Sequence, residues 1–184
     1  LSVESLRAGI LRGASEPAAF RAAFLAVPPS ARDAWVDGVL GLGPVPADGG
    51  DLPRGCVPYL PCPVDAIVQV VDQARVGPAD VFVDVGSGLG RATALVHLLT
   101  GATAVGIEIQ RALVAGARDL AARLHLTAVS TIEGDAADVA RLAPHGSVFF
   151  LYCPFGGERL AKVMRELEAI ARTRAIRVRC VDML

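Results

Sequence analysis

A short run of β-branched and aromatic residues, VFVDV (81–85), breaks into a loop with glycine at every second position: Gly86, Gly88 and Gly90. Few local patterns restrict a chain more. The run suits a buried strand. Glycines directly after it let the backbone approach a ligand and open a helix whose positive N-terminus faces that ligand. A carboxylate, Asp84, sits inside the run two residues before the loop. The pattern then repeats. A helix over 91–99 is followed by strand-like ATAVGI (102–107), then by a helix over 110–124 with Leu113, Val114, Ala117, Leu120 and Leu124 on one stripe. AVSTIE (128–133), a short helix over 136–142, SVFFLY (147–152), a helix over 158–172 and AIRVRCV (175–181) continue the alternation. Strands separated by helices at this spacing predict an α/β fold with a doubly wound, mostly parallel sheet.

The first 40 residues read as short helices. Ser15 ahead of Glu16 and Pro17 predicts a helix start with Ser as N-cap and proline in the first turn, followed by apolar Phe20, Phe24 and Leu25. Ser30 with Asp33 repeats the capping pattern before a face of Trp35, Val36, Val39 and Leu40. Residues 41–63 hold eleven Gly or Pro in twenty-three positions, the composition of a linker or of an ordered loop that wraps the next unit. Pro63 opens a further helix to about residue 75, with Ile67, Val68 and Val71 facing inward. The expected organisation is a helical N-terminal extension with its Pro/Gly-rich loop over 1–63 and a ligand-binding domain over 64–184.

Composition narrows the choice of function. The chain has 184 residues, 53% of them hydrophobic, enough for one domain with a real core. A formal net charge of -1 gives no global attraction to nucleic acid or to an anionic membrane, and no apolar stretch approaches a membrane span. Cys56, Cys62, Cys153 and Cys180 are too scattered for a disulfide framework. Cys56 and Cys62 also lack the neighbouring His or second CxxC of a zinc site, so reduced thiols, a cytoplasmic setting and no metal are expected. Arg172, Arg174, Arg177 and Arg179 form a basic cluster without interleaved aromatics, which favours a solvated or ion-paired face over a nucleic-acid groove. His97 lies in an apolar helix and reads as a core residue. His125 and His145 fall in loops with no acid or nucleophile arranged around them.

Ligand choice turns on the glycine loop and its acid. In open α/β sheets the ligand sits beyond the carboxyl ends of the strands, at the switch point. A dinucleotide site wants GxGxxG, but the frame starting at Gly86 meets Arg91 and the frame starting at Gly88 meets Thr93. Asp84 would repel a pyrophosphate and attract an ammonium group. S-adenosylmethionine, with its α-amino group, its carboxylate for the helix N-terminus and its cationic sulfonium, fits that loop better. Glu108, 22 residues after Gly86, stands where an acid accepts ribose hydroxyls, a feature shared with dinucleotide enzymes. Asp135 is placed either to accept from an adenine amino group or simply to cap the helix that follows.

VDVGSGLGR (83–91), GIEI (106–109), EGDA (133–136) and a fourth strand ending in LYCPF (151–155) resemble the ordered motifs of the class I S-adenosylmethionine-dependent methyltransferases, over residues 80–181. The resemblance implies a Rossmann-like methyltransferase fold and S-adenosylmethionine as cofactor. By it, Asp84 would bind the methionine amino group and Gly86, Ser87, Gly88 and Gly90 the methionine moiety. Glu108, beside Ile109, would hold the ribose, and Asp135 with the Ala136 backbone the adenine. GSG and GIE are also similar to motifs of the non-SET lysine methyltransferases that act on histones. The asparagine-rich motif of those enzymes after strand four is missing, and the chain has no Asn at all, so their substrate is not carried over. In CVPYLPCPVD (56–65), Tyr59 is either a cofactor contact, as in enzymes where such a segment closes over the cofactor, or part of a proline-rich loop packed on the core.

On the substrate side the resemblance places Tyr152 near the sulfonium, Pro154 and Phe155 as an apolar wall, and Cys153 between them, with a nucleophilic Cys153 as the sharper alternative. No other catalytic group is apparent, which suits a displacement driven by alignment. The acceptor stays open between small molecule, protein side chain and nucleic acid. A non-catalytic binder of the cofactor and a nucleotide-dependent oxidoreductase are the alternatives, the latter disfavoured by the glycine spacing. Enzymes of this class usually add two strands after the fifth; five parallel strands without that final hairpin are expected here.

Overall fold

The computed structural model describes residues 2–46, 52, 55–152 and 155–181. Five strands, β1 (Val81–Val85), β2 (Thr103–Glu108), β3 (Val129–Glu133), β4 (Val148–Tyr152) and β5 (Arg177–Val181), pair in parallel in the order β3-β2-β1-β4-β5. The chain winds outward from β1 to β3 on one side, then crosses back to β4 and β5 on the other. The winding therefore reverses between β1 and β4, and the carboxyl ends of the central strands frame a crevice there.

Side chains leave the sheet alternately, and the two faces are buried under different helices. Phe82 of β1 and Val148 and Phe150 of β4 face one layer, where the Phe82 and Phe150 rings stack at 5.9 Å. That layer holds α1 (Val3–Leu11), α2 (Pro17–Leu25), α3 (Arg32–Leu40), α4 (Val64–Ala74) and α5 (Arg91–Thr100), together with the Leu120 end of α6 (Arg111–Arg123). Val83, Val85, Phe149 and Leu151 face the other layer, covered by α7 (Val139–Leu142) and by Val163, Leu167 and Ile170 of α8 (Gly157–Ala171). Each such large side chain, fully buried, contributes about 1.5–3 kcal/mol.

The three N-terminal helices share the buried cluster of α4 and α5. Phe20 and Phe24 are buried, with Trp35 ring contacts at 5.7 and 6.1 Å. Leu25, the next apolar residue and the last of the helix, is 51% exposed. The capping expectations also need correction. The N-cap of α2 is Glu16 rather than Ser15 and makes no side-chain cap, because Pro17 in the first turn fixes the helical φ and has no N–H to satisfy. Before α3 the chain makes a 3-10 turn (Pro29–Ala31), and Ala31 is the cap position, so Ser30 and Asp33 form no capping box. Asp33 caps a different helix. Its carboxylate accepts from the Val64 amide at 3.1 Å, the first residue of α4, whose own cap position is the acceptor-less side chain of Pro63.

The arginine cluster of β5 is tied down. Arg177 pairs with Asp80 and donates to the Ala74 carbonyl at 2.6 Å, while Arg179 donates to the Gln73 carbonyl at 3.2 Å. Two guanidiniums thus satisfy the last carbonyls of α4, at its negative end. Half-buried His97 bonds through Nδ1 to the Ala102 carbonyl at 2.8 Å. Among the described residues no helix is long and apolar enough to cross a membrane.

Candidate functional site

The crevice is built from the loop after β1. Gly86, Gly88 and Gly90 all have positive φ (90°, 53° and 77°), a conformation that side chains rarely adopt. The turn is pinned from below: the amides of Gly86 and Ser87 both donate to the Ile107 carbonyl, at 2.9 and 3.0 Å. At Gly88 a side chain is excluded twice, by φ and by space. A Cβ there would lie 1.9 Å from the Tyr59 ring, which rests directly on the loop.

Two acids stand beside this loop in opposite conditions. Glu108, at the end of β2 and 7% exposed, accepts from three amides: Gly88 at 2.9 Å on Oε2, and Ile109 and Gln110 at 2.8 Å each on Oε1. It clips the glycine loop to the end of the second strand. Asp84 is 4% exposed and takes no hydrogen bond from the described residues. Burial, reinforced by the negative charge of Glu108, pushes its carboxyl up to about 7. A buried carboxyl without a partner is costly to keep, and a cationic group is what would satisfy it. Ser87, 6% exposed, likewise has a buried Oγ with no hydrogen-bond partner.

Asp135, after β3, fulfils the capping reading: it accepts from the Ala137 amide at 2.9 Å. It is also ion-paired at 2.5 Å with Arg159, from the first turn of α8. Neighbouring Ala136 is buried. Tyr59 is half-buried, hydrogen-bonded with the Leu89 backbone, and its phenol is pushed up to about 12, first by burial. The segment carrying it is stitched to the chain beyond β4, through a bridge between Cys56 and Phe155 and a Gly156 amide bond to the Gly55 carbonyl at 3.1 Å. Burial pushes the Cys56 thiol up, away from thiolate character. Tyr152 ends β4 half-buried, and Phe155 is 7% exposed. Cys153 and Pro154 lie outside the described residues.

These parts enclose two hollows that meet at Tyr59 and Tyr152. The larger, about 580 Å³ counting the space open to solvent, is lined by Glu108, Ile109, Asp135, Ala136, Phe155 and Arg159. The smaller is lined by Asp84, Gly86, Ser87 and Arg91. The structure therefore gathers Tyr59, Asp84, Ser87, the glycine loop, Glu108, Ile109, Asp135, Ala136, Tyr152 and Phe155 around one crevice.

Two residues that sequence reasoning did not single out as functional belong to the same crevice. Arg91, the first residue of α5 and 6% exposed, donates to Asp37 at 2.8 Å, to the Cys62 carbonyl at 2.7 Å and to Asp33 at 2.8 Å. It ties α3 and the Tyr59 segment to the glycine loop. The legible trace is the four-residue spacing of Asp33 and Asp37, which puts two acids on one face of a helix that is otherwise apolar. Arg159 left no such trace.

A family model described as "Histone methylation protein DOT1" matches residues 61–128. No curated protein matches the chain. Among solved structures, an RNA methyltransferase from Salinibacter ruber in complex with S-adenosyl-L-homocysteine is 27% identical, with a TM-score of 0.52 over 67% of this chain and 76% of that one. A precorrin 8w decarboxylase from Methanobacterium thermoautotrophicum gives 22% identity and a TM-score of 0.55, over 68% of this chain and 66% of that one. Geranyl diphosphate C-methyltransferase from Streptomyces coelicolor A3(2), crystallised with Mg2+, geranyl diphosphate and S-adenosyl-L-homocysteine, gives 18% and 0.52, over 65% and 44%. The chain thus spans about three quarters of the first protein's length and less than half of the third's. The parallel sheet with helices on both faces is the Rossmann-like fold of the class I S-adenosylmethionine-dependent methyltransferases. In its glycine loop and second strand this chain is similar to the DOT1 model within that class.

Proposed function

We propose that the chain binds S-adenosylmethionine in this crevice and transfers its methyl group to an acceptor. One observation carries the reading: Asp84, buried and without a hydrogen-bond partner among the described residues, beside a loop of positive-φ glycines, is a receptor suited to a cation. The methionine α-ammonium is that cation, and Gly86, Ser87, Gly88 and Gly90 line its approach, the unsatisfied Ser87 Oγ among them. Glu108 with Ile109 takes the ribose, Asp135 and the Ala136 backbone take the adenine, and Tyr59 covers the ligand. The chain from residue 64 supplies this site, and the helices and loop before it supply its cover.

When bound, the cofactor supplies a methyl group on a sulfonium, an electrophile ready for in-line displacement. The protein's part is to align and to exclude water. Tyr152, at the end of β4, stands on the side where the methyl group would meet its acceptor, and an aromatic face there favours the cationic sulfonium. Phe155, buried beside the larger hollow, walls the acceptor's approach. No base is required of the protein when the nucleophile arrives unprotonated. The cysteines, too scattered in sequence for a disulfide framework, favour a cytoplasmic setting for this reading.

The decisive experiment is calorimetric titration with S-adenosylhomocysteine, followed by a screen of acceptors with methyl-labelled cofactor. Binding of S-adenosylhomocysteine with no effect of NAD or NADP supports the cofactor, and label on an acceptor supports the activity. Preference for NAD refutes both. Tight binding of the cofactor without transfer to any acceptor class would leave a non-catalytic binder as the function.

A further inference from the structure

Arg159 is the cation of the larger hollow, and nothing in the motifs of the sequence points to it. Its Nη1 lies 2.5 Å from Oδ1 of Asp135, and the two side chains are 20% and 37% exposed. That same Oδ1 also accepts from the Ala137 amide at 2.9 Å. Both constraints therefore fall on one oxygen of the carboxylate, while Oδ2 takes no hydrogen bond from the described residues. An Asp held only by its cap would swing about χ2 and present either oxygen, or water, to a ligand. With Arg159 across the hollow, the carboxylate is held from two elements, the turn after β3 and the start of α8. The pairing also raises the guanidinium's proton affinity, as expected when a carboxylate stabilises the charged form.

A carboxylate with one oxygen saturated and the other free is a one-sided receptor. It rewards a hydrogen-bond donor in the hollow and repels an acceptor. Adenine presents an exocyclic amino donor, whereas hypoxanthine presents a carbonyl oxygen at the same position. We propose that Arg159 is a positioning residue that fixes Asp135 with Oδ2 toward the base, and so sets the site's selectivity for a purine carrying an exocyclic amine. This inference rests on the cofactor reading above. It assigns to Arg159 a role exerted through Asp135.

The test compares S-adenosylhomocysteine with S-inosylhomocysteine by calorimetry on the full chain. The wild type should prefer the adenine ligand by at least about tenfold, a modest value because Asp135 is partly open to water. Arg159→Ala should bring the two affinities within about threefold, by a weaker grip on the adenine ligand, and Arg159→Lys should restore most of the preference by keeping one donor on Oδ1. A merely structural role would lower both affinities in parallel and leave their ratio unchanged. Arg159→Ala with the wild-type ratio overturns the inference while leaving the cofactor reading intact. A wild type that binds neither ligand overturns the cofactor reading and this inference with it. If Arg159→Ala does not fold, Arg159→Met supplies the comparison: it keeps the length of the side chain without any donor for Asp135, so an undiminished ratio there overturns the inference equally.

Discussion

Replacing Asp84 by Asn separates what the buried acid costs the fold from what it does for a ligand. The side chain is 4% exposed, has no hydrogen-bond partner among the described residues, and sits near the ionised Glu108, so its carboxyl is pushed up to about 7 from an ordinary value of 3.8. A folded-state value above the unfolded one means that the folded protein holds a proton the unfolded chain has released. Stability contributed by this group is therefore intact below about pH 4, falls as pH rises to about 7, and levels off above. The loss accumulates at about 1.4 kcal/mol per pH unit, which sets an upper bound of about 4 kcal/mol over the whole window. Asparagine is close in shape and never ionises. Asp84→Asn should accordingly leave stability near that of wild type at pH 4, and exceed it by about 2–4 kcal/mol at pH 8. Urea denaturation of both proteins across pH 4–8, without ligand, reads the difference directly, since every other titrating group is common to the two. The same variant should lose S-adenosylhomocysteine binding in calorimetry, because a neutral amide cannot replace the charge that an ammonium requires. Parallel pH profiles for the two proteins would refute the argument, as would wild-type ligand affinity in the variant.

Three further outcomes follow from the crevice. Glu108→Ala orphans the amides of Gly88, Ile109 and Gln110, so it should destabilise the ligand-free protein by about 2–4 kcal/mol in urea at pH 7; an unchanged midpoint would mean that the clip is dispensable. Gly88→Ala sets a Cβ against the Tyr59 ring at positive φ, and should lower Tm by several degrees. Adding Tyr59→Ala should recover only the steric part, so a double-mutant cycle with no coupling would show that the ring does not rest there. Arg91→Met removes the donor for Asp33, Asp37 and the Cys62 carbonyl and should cost about 2 kcal/mol, discounted because both acids are half exposed; fluorescence of the single Trp35, between those acids on α3, checks whether the helix has shifted.

The sheet was legible because its signal is local. VFVDV, ATAVGI and SVFFLY carry their burial in consecutive residues, and the strand-to-glycine transition at 85–86 needs no partner to be read. The acids at 84, 108 and 135 were legible for the same reason: each lies at or just beside the carboxyl end of a strand, and these ends meet at one edge of a parallel sheet. What the sequence concealed was partnership. Asp33 reads as a local cap for α3, yet it caps α4, 31 residues on, because Pro63 has no acceptor to offer. Arg91 reads as a residue that spoils GxGxxG, while its contacts lie 54 residues away at Asp37. Arg159 carries no signal of its own in the sequence and finds Asp135 across the crevice, 24 residues earlier. Charged partners separated by whole elements follow from docking geometry, which no periodicity encodes.

The unequal treatment of the two buried acids also bears on how the crevice accommodates a ribose. A carboxylate offers about four lone-pair sites, and on Glu108 three are filled by amides. Oε1 is saturated by Ile109 and Gln110, both in the turn directly after β2, so those bonds are local and cheap to keep. Oε2 holds Gly88 alone and has one site to spare. A diol that donates twice to Glu108 needs both sites of Oε2, and the Gly88 amide is then the bond that gives way. Gly88 is also the residue on which the Tyr59 ring rests. Under the proposed function, a ribose donating twice to Glu108 would therefore compete with the Gly88 amide at the point where the Tyr59 ring sits. The clip on the glycine loop and the acid that the proposed function gives to the ribose are the same side chain, so the loss of loop stability and the loss of ligand affinity in Glu108→Ala should appear together.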